Sequence, residues 1–167
     1  MSLRLILTRH AKSSWGDPSL DDHDRPLNGR GRASATALGE WLAARQYLPD
    51  QVLCSSSART QETWARIAKG MATPPKAEVL ASLYLSEPEV MLGALGLATG
   101  KVVMMLAHNP GSAWSAYNLA RVPAEDPRFG QYPSGATTVF DFKVESWGEV
   151  RWHTGKVVDF VVPRDLL

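Results

Sequence analysis

Short continuous apolar runs alternate along the chain with segments whose apolar residues recur at helical spacing. Leu3 to Leu7, in LRLILTRH, is one such run; it stops at Arg9-His10 and gives way to Lys12, Ser13 and Ser14. Lys101 to Ala107, KVVMMLA, is a second run, ending at His108-Asn109-Pro110-Gly111. Runs of this length predict buried strands, and Gln51 to Ser55 predicts another, with Lys76 to Leu80 a weaker one. Between the strands, Asn28 is placed to cap a helix on which Ala33, Ala37, Leu38, Trp41 and Leu42 form one stripe, ending near Gln46. Ser55 to Thr63 opens a further helix with Trp64, Ile67, Ala68 and Met71 on its apolar face. Glu87 and Pro88 start a helix through Ala98 with Val90, Met91, Leu92 and Leu95 inward, and another helix spans about Ala113 to Ala120.

Two stretches lack periodicity. Gly16 to Leu27, with two Pro and a run of Asp, predicts a functional surface loop in which His23 is a solvated residue, and Arg121 to Gln131 predicts a second loop. Near the end, Thr138, Phe140, Phe142 and Val144 alternate on one face, and Val150, Trp152 and Thr154 alternate after Gly148, which predicts an antiparallel hairpin with His153 an ordinary strand residue. Strands alternating with helices predict one α/β domain over residues 1–167: a three-layer α/β/α sandwich, mostly parallel, with an antiparallel C-terminal hairpin at its edge.

Composition narrows the function classes. Lys and Arg number 18 against 17 Asp and Glu, so no chain-wide field draws the protein to nucleic acid or an anionic membrane. The single Cys54 excludes an internal disulfide framework and reads as buried strand filler, which suits a reducing compartment. No stretch approaches the ~18 apolar residues of a membrane span, and the first apolar run is too short for a signal-peptide core. The expected location is therefore the cytoplasm, and the expected state a monomer.

The chemistry gathers at strand ends, where open α/β sheets bind ligands. Three predicted strand ends supply Arg9, His10, Arg59 and His108 to one rim. Two guanidiniums that keep their charge, two imidazoles and a Ser-rich helix start suit a compact, doubly charged anion such as a phosphoryl group. Arg59 in a helix first turn is slightly unfavourable unless an anion lies beside it. The adjacent cations disfavour protonated His10, which predicts a neutral imidazole nucleophile. Zinc is the competing use of two His, but the neighbouring Arg would repel a metal, and no Cys or carboxylate at ligand spacing completes a site.

On these residues the chain resembles the histidine phosphatase (phosphoglycerate mutase-like) superfamily, and within it the SixA-like phosphohistidine phosphatases. Thr8-Arg9-His10-Ala11-Lys12 is similar to that branch's form of the Arg-His-Gly signature, with Ala in place of Gly. Asp24 to Asn28 with Gly31, Ser55 to Thr63, His108 to Gly111, and Tyr132 to Ala136 resemble four further motifs in the same order. The resemblance implies that His10 attacks phosphorus and becomes phosphohistidine, while Arg9, Arg59 and His108 hold the equatorial oxygens. It implies no metal and no organic cofactor. Lys12, Asn28 and Asn109 become candidate phosphate contacts, and Glu87 the candidate proton donor to the leaving group. Larger relatives take that acid from a segment that is short here, which favours a phosphorylated protein carrying phosphohistidine over an alkyl phosphate. The alternatives are a small-molecule phosphomonoesterase, with Arg121 to Gln131 as partial cover, and a phosphate-binding regulatory module without turnover. Trp15 is placed to line the entrance, and the other Trp serve packing.

Overall fold

The computed structural model describes all residues, Met1–Leu167. Six strands, β1 (Leu3–Arg9), β2 (Gln51–Ser55), β3 (Ala77–Leu80), β4 (Val102–Ala107), β5 (Thr137–Phe142) and β6 (Lys156–Val161), form one sheet in the order β3-β2-β4-β1-β5-β6. The first four are parallel, and β5 and β6 join antiparallel. The strand β1 is central and apolar on both faces because both are covered. On one face Leu3, Leu5 and Leu7 pack with Met91 and Leu95 of α3 (Pro88–Gly96) and Ala116 and Leu119 of α4 (Gly111–Leu119). On the other, Ile6, Met104 and Leu106 pack with Ala35, Leu38 and Leu42 of α1 (Gly29–Ala44) and Trp64 and Ile67 of α2 (Ala58–Ala68). Burying apolar surface on both faces is the favourable term that holds the three layers together.

Local sequence sets the helix starts. The Asn28 side chain accepts from the Gly31 amide at 2.8 Å, and the Ser57 side chain from the Thr60 amide at 3.3 Å, each satisfying an otherwise unpaired donor. Gly31 is required by close approach: a Cβ there would lie 2.0 Å from the Lys12 carbonyl oxygen.

The C-terminal hairpin differs from its prediction. Residues Trp147–Glu149 form a single 3-10 turn, closed by reciprocal bonds between Ser146 and Glu149, and the second strand lies later, at Lys156–Val161. Of the predicted alternation, Val150 is buried as the residue that ends this turn, Trp152 is half-buried in the next turn, and Thr154 is exposed. His153 has a φ of 66° and is exposed, so it is a turn residue. Val90, expected inward on α3, is exposed. The Arg121 to Gln131 loop carries a four-residue helix, α5 (Arg128–Gln131), whose Phe129 enters the core. No helix is long and apolar enough to cross a membrane.

Candidate active site

β1 and β4 are adjacent and parallel, with Arg9 opposite Ala107, so His10 and His108 leave the sheet side by side. Their ring centroids are 5.3 Å apart. The turn after β1 is tied on every side. The His10 amide donates to the Ala107 carbonyl at 3.2 Å, the Gly135 amide donates to the His10 carbonyl at 2.9 Å, and the Ala11 amide donates to Thr63 Oγ1 at 3.0 Å. Gly135 meets this need with a φ of 76°, a conformation glycine adopts without steric cost.

Both imidazoles have assigned roles for their nitrogens. The Ala11 carbonyl is an acceptor alone and lies 2.7 Å from His10 Nδ1, so Nδ1 carries the proton and Nε2 keeps its lone pair. Arg59 Nη2 is a donor alone and lies 3.4 Å from His108 Nδ1, so His108 Nε2 carries the proton and donates to Ser55 Oγ at 2.8 Å. Burial, followed by the charges of Arg9, His108 and Arg59, lowers the His10 pKa to about 3 against an opposing bond to Ala11. Burial and then Arg59 lower that of His108 to about 4. Both rings are neutral at neutral pH.

Each cation keeps one buried nitrogen without a partner. Nε of Arg9 and Nε of Arg59 are buried without a hydrogen bond, and buried guanidinium donors left unpaired call for an acceptor. Arg9 Nη1 reaches only the Tyr132 carbonyl at 3.3 Å, and burial, then the Arg59 charge, lowers the Arg9 pKa from its ordinary value. Two guanidiniums and two neutral rings thus enclose a space suited to an oxyanion.

The remaining expected residues fare differently. Lys12 is exposed at the rim, and its main chain accepts from the Asn28 amide. Asn28 uses its side-chain oxygen as the helix cap, and its nitrogen lies 3.5 Å from the Ser13 carbonyl. Asn109 donates to the Tyr132 and Gln131 carbonyls at 2.9 and 3.2 Å and accepts from the Ala113 amide. The two Asn therefore brace the loops around the space. Glu87 is exposed at the start of α3, and no side-chain hydrogen bond or ion pair joins it to the cluster.

The sequence pattern missed Asp22, in a 3-10 turn at Asp22–Asp24. Its carbonyl accepts from Arg59 Nη1 at 2.7 Å, and its carboxylate accepts from Arg59 Nη2 and Arg25 Nη2, each at 3.0 Å. Tyr84 also donates to that carboxylate, and this bond, ahead of the two Arg, holds the Asp22 carboxyl well below the usual carboxylate range. The Tyr84 ring meets His108 edge-on at 5.4 Å. His23, expected to be solvated, instead contacts Ser56 Oγ at 2.9 Å and packs on Tyr84. The run of Asp beside Arg25 was the available signal for Asp22, but pairing across 37 residues to Arg59 requires the fold. Trp15 is exposed, and the Arg25 guanidinium stacks 3.6 Å from its ring centroid. No group of three His, Cys, Asp or Glu side chains is placed to hold a metal ion.

A family profile described as the Histidine phosphatase superfamily (branch 1) matches residues 5–82. An uncharacterized protein of Mycobacterium tuberculosis is 31% identical over 163 residues, covering 93% of this chain and 99% of the relative. An uncharacterized chloroplastic protein of Arabidopsis thaliana is 51% identical over 63 residues, 38% of this chain and 29% of the relative's length. A solved structure from Nakamurella multipartitia, assigned as a phosphohistidine phosphatase SixA, has a TM-score of 0.85 at 23% identity, covering 98% of this chain and 97% of that one. The protein histidine phosphatase SixA complexed with tungstate has a TM-score of 0.78 at 20% identity, covering 99% and 100%. The matched profile takes in the Arg9-His10 and Arg59 motifs, and the full-length relative aligns through the His108 end; the chain belongs to the histidine phosphatase superfamily and has the SixA-like fold.

Proposed function

We propose that this phosphatase acts through a covalent phosphohistidine on His10 and that its substrate is phosphohistidine in a protein. The observation that carries the reading is the His10 tautomer. With Nδ1–H held by the Ala11 carbonyl, the Nε2 lone pair is the available nucleophile in a cationic, buried space.

In the first step His10 Nε2 forms a bond to phosphorus as the bond from phosphorus to the leaving group breaks. Arg9 and Arg59 take the charge on the equatorial oxygens through donors already in place, so catalysis is positioning and electrostatics. His108 borders the same space, its Nε2 held by Ser55 and its Nδ1 by Arg59. In the second step water attacks phosphorus, His10 Nε2 leaves with its electron pair, and phosphate departs. The site draws on this chain's own residues throughout.

Substrate class follows from the leaving group. Glu87 is exposed and joined to nothing in the cluster, and the Asp22 carboxyl, held low, is a poor acid at neutral pH. An alkoxide needs a proton as it leaves. A phosphorylated imidazole carrying a proton on its other ring nitrogen leaves as neutral imidazole, a group of pKa ~6.5, without an acid from the enzyme. The described roles of the two SixA structures, and tungstate as a tetrahedral oxyanion in one of them, support the reading.

Steady-state rates on a phosphohistidine peptide and on an alkyl phosphomonoester, compared with chelator present, test it. The reading expects the phosphohistidine peptide to be turned over faster. A faster monoester would favour a metabolite phosphatase and return Glu87 to the role of acid.

A further inference from the structure

A second cleft shares a wall with the His10 space. Lys12 follows His10 by two residues, and the segment Gln131 to Ser134 presents its Gln131 and Tyr132 carbonyls to Asn109, and that of Tyr132 also to Arg9. Gln131 and Ser134 of that segment also line an open cleft of about 510 Å³, together with Lys12, Arg30, Ser34, Arg128 and Arg164 among others. No Asp or Glu side chain lines it.

The charges of this cleft are unevenly answered. Arg128 is held by Asp126 and Asp165, at 2.7 and 2.8 Å. The side chains of Lys12, Arg30 and Arg164 form no ion pair. A cleft of similar volume elsewhere, about 500 Å³, carries Arg121, Lys143 and Lys156 but sets Asp141 and Glu149 among them. Since the whole chain is nearly neutral, three unanswered cations in one cleft beside the reaction space mark local segregation of charge.

We infer that this cleft is a docking subsite for acidic side chains flanking the phosphorylated residue of a protein substrate. The inference rests on the phosphoprotein reading above and adds a sequence preference to it. Carboxylates entering the cleft meet Lys12, Arg30 and Arg164, with the Ser34 and Ser134 hydroxyls as further donors, while the phosphoryl group lies over the wall against His10. Rim charges of this kind steer encounter and set register, and their effect fades with added salt.

The test uses two histidine-containing peptides phosphorylated with phosphoramidate, one flanked by Glu and one by Gln, and the phosphoserine forms of both. The wild-type protein is expected to favour the Glu-flanked peptide through a lower KM at similar kcat, with the advantage shrinking as salt rises. The double variant Arg30→Glu, Arg164→Glu is expected to lose about tenfold in kcat/KM on the Glu-flanked peptide while the Gln-flanked rate holds within about twofold. Both positions are exposed and unpaired, so the Gln-flanked rate also reports an intact fold. Equal turnover of the two flanks by the wild type, or an equal loss on both in the variant, would overturn the subsite. Faster cleavage of phosphoserine with the Glu preference intact would instead overturn the phosphohistidine reading and leave the subsite standing.

Discussion

Asp22 and Arg59 are paired through both the main chain and the side chain of Asp22, at 2.7 and 3.0 Å, so a loop residue occupies both terminal nitrogens of a buried guanidinium. The pairing orients Arg59 and at the same time sets a negative charge beside the oxyanion space.

Asp22→Asn separates those two effects. Removing the charge is expected to tighten inhibition by inorganic phosphate roughly two- to fivefold, the range of a partly exposed ion pair. It is also expected to lower kcat, because Arg59 and Tyr84 lose a shared anchor. The phosphate inhibition constant and kcat, measured on the same preparation, check the two directions. Weaker phosphate binding would show that the carboxylate only orients.

On the proposed mechanism, Arg59→Ala removes a donor from the transition state. The expected loss is on the order of 10²–10³ in kcat, as for deletion of an oxyanion-hole donor. A loss below tenfold would take Arg59 out of contact with the phosphoryl oxygens.

Ser55→Ala deprives the buried His108 N–H of its acceptor. An orphaned buried donor costs about 1–3 kcal/mol, so denaturant unfolding should show a loss in that range, with kcat falling as the ring loses its tautomer. Unchanged stability would mean that His108 donates elsewhere.

Stability should fall in acid. The folded-state pKa of His10 is lowered to about 3 and that of His108 to about 4, mainly by burial, while an unfolded His titrates near ~6.5. The unfolded chain therefore binds more protons below that value. The contribution of both rings is full above pH ~6.5 and is lost as pH falls through the folded values. Thermal unfolding followed from pH 7 to pH 4 should show this decline, and His10→Gln should make it shallower. An unaltered slope in that variant would contradict the shifted pKa.

The sheet was largely legible in the sequence because its strands are buried on both faces: Leu3 to Leu7 and Val102 to Ala107 read as continuous apolar runs, and each delivers its His to the same edge. The Asn28 cap was legible for the same local reason. Val150 and Trp152 misled because two successive turns each turn one apolar residue inward, and two such residues two positions apart imitate a strand. The lightly buried edge strand Lys156–Val161 offered no strong pattern. Of the candidate site, the clustering of Arg9, His10, Arg59 and His108 was legible from their places at strand ends and a helix start. Asp22, Tyr84 and His23 were not, since their roles arise from contacts between a loop, the start of α2 and the turn before α3. Asn28 and Asn109 showed the reverse, polar residues at the rim whose hydrogen bonds serve the loops.

Trapping of the enzyme intermediate tests the central claim most directly. Acid-sensitive, alkali-stable label from ³²P-phosphohistidine peptide should appear on the protein during turnover, map to His10, and vanish in His10→Ala together with activity. Label persisting in His10→Ala, or turnover retained by that variant, would contradict the account.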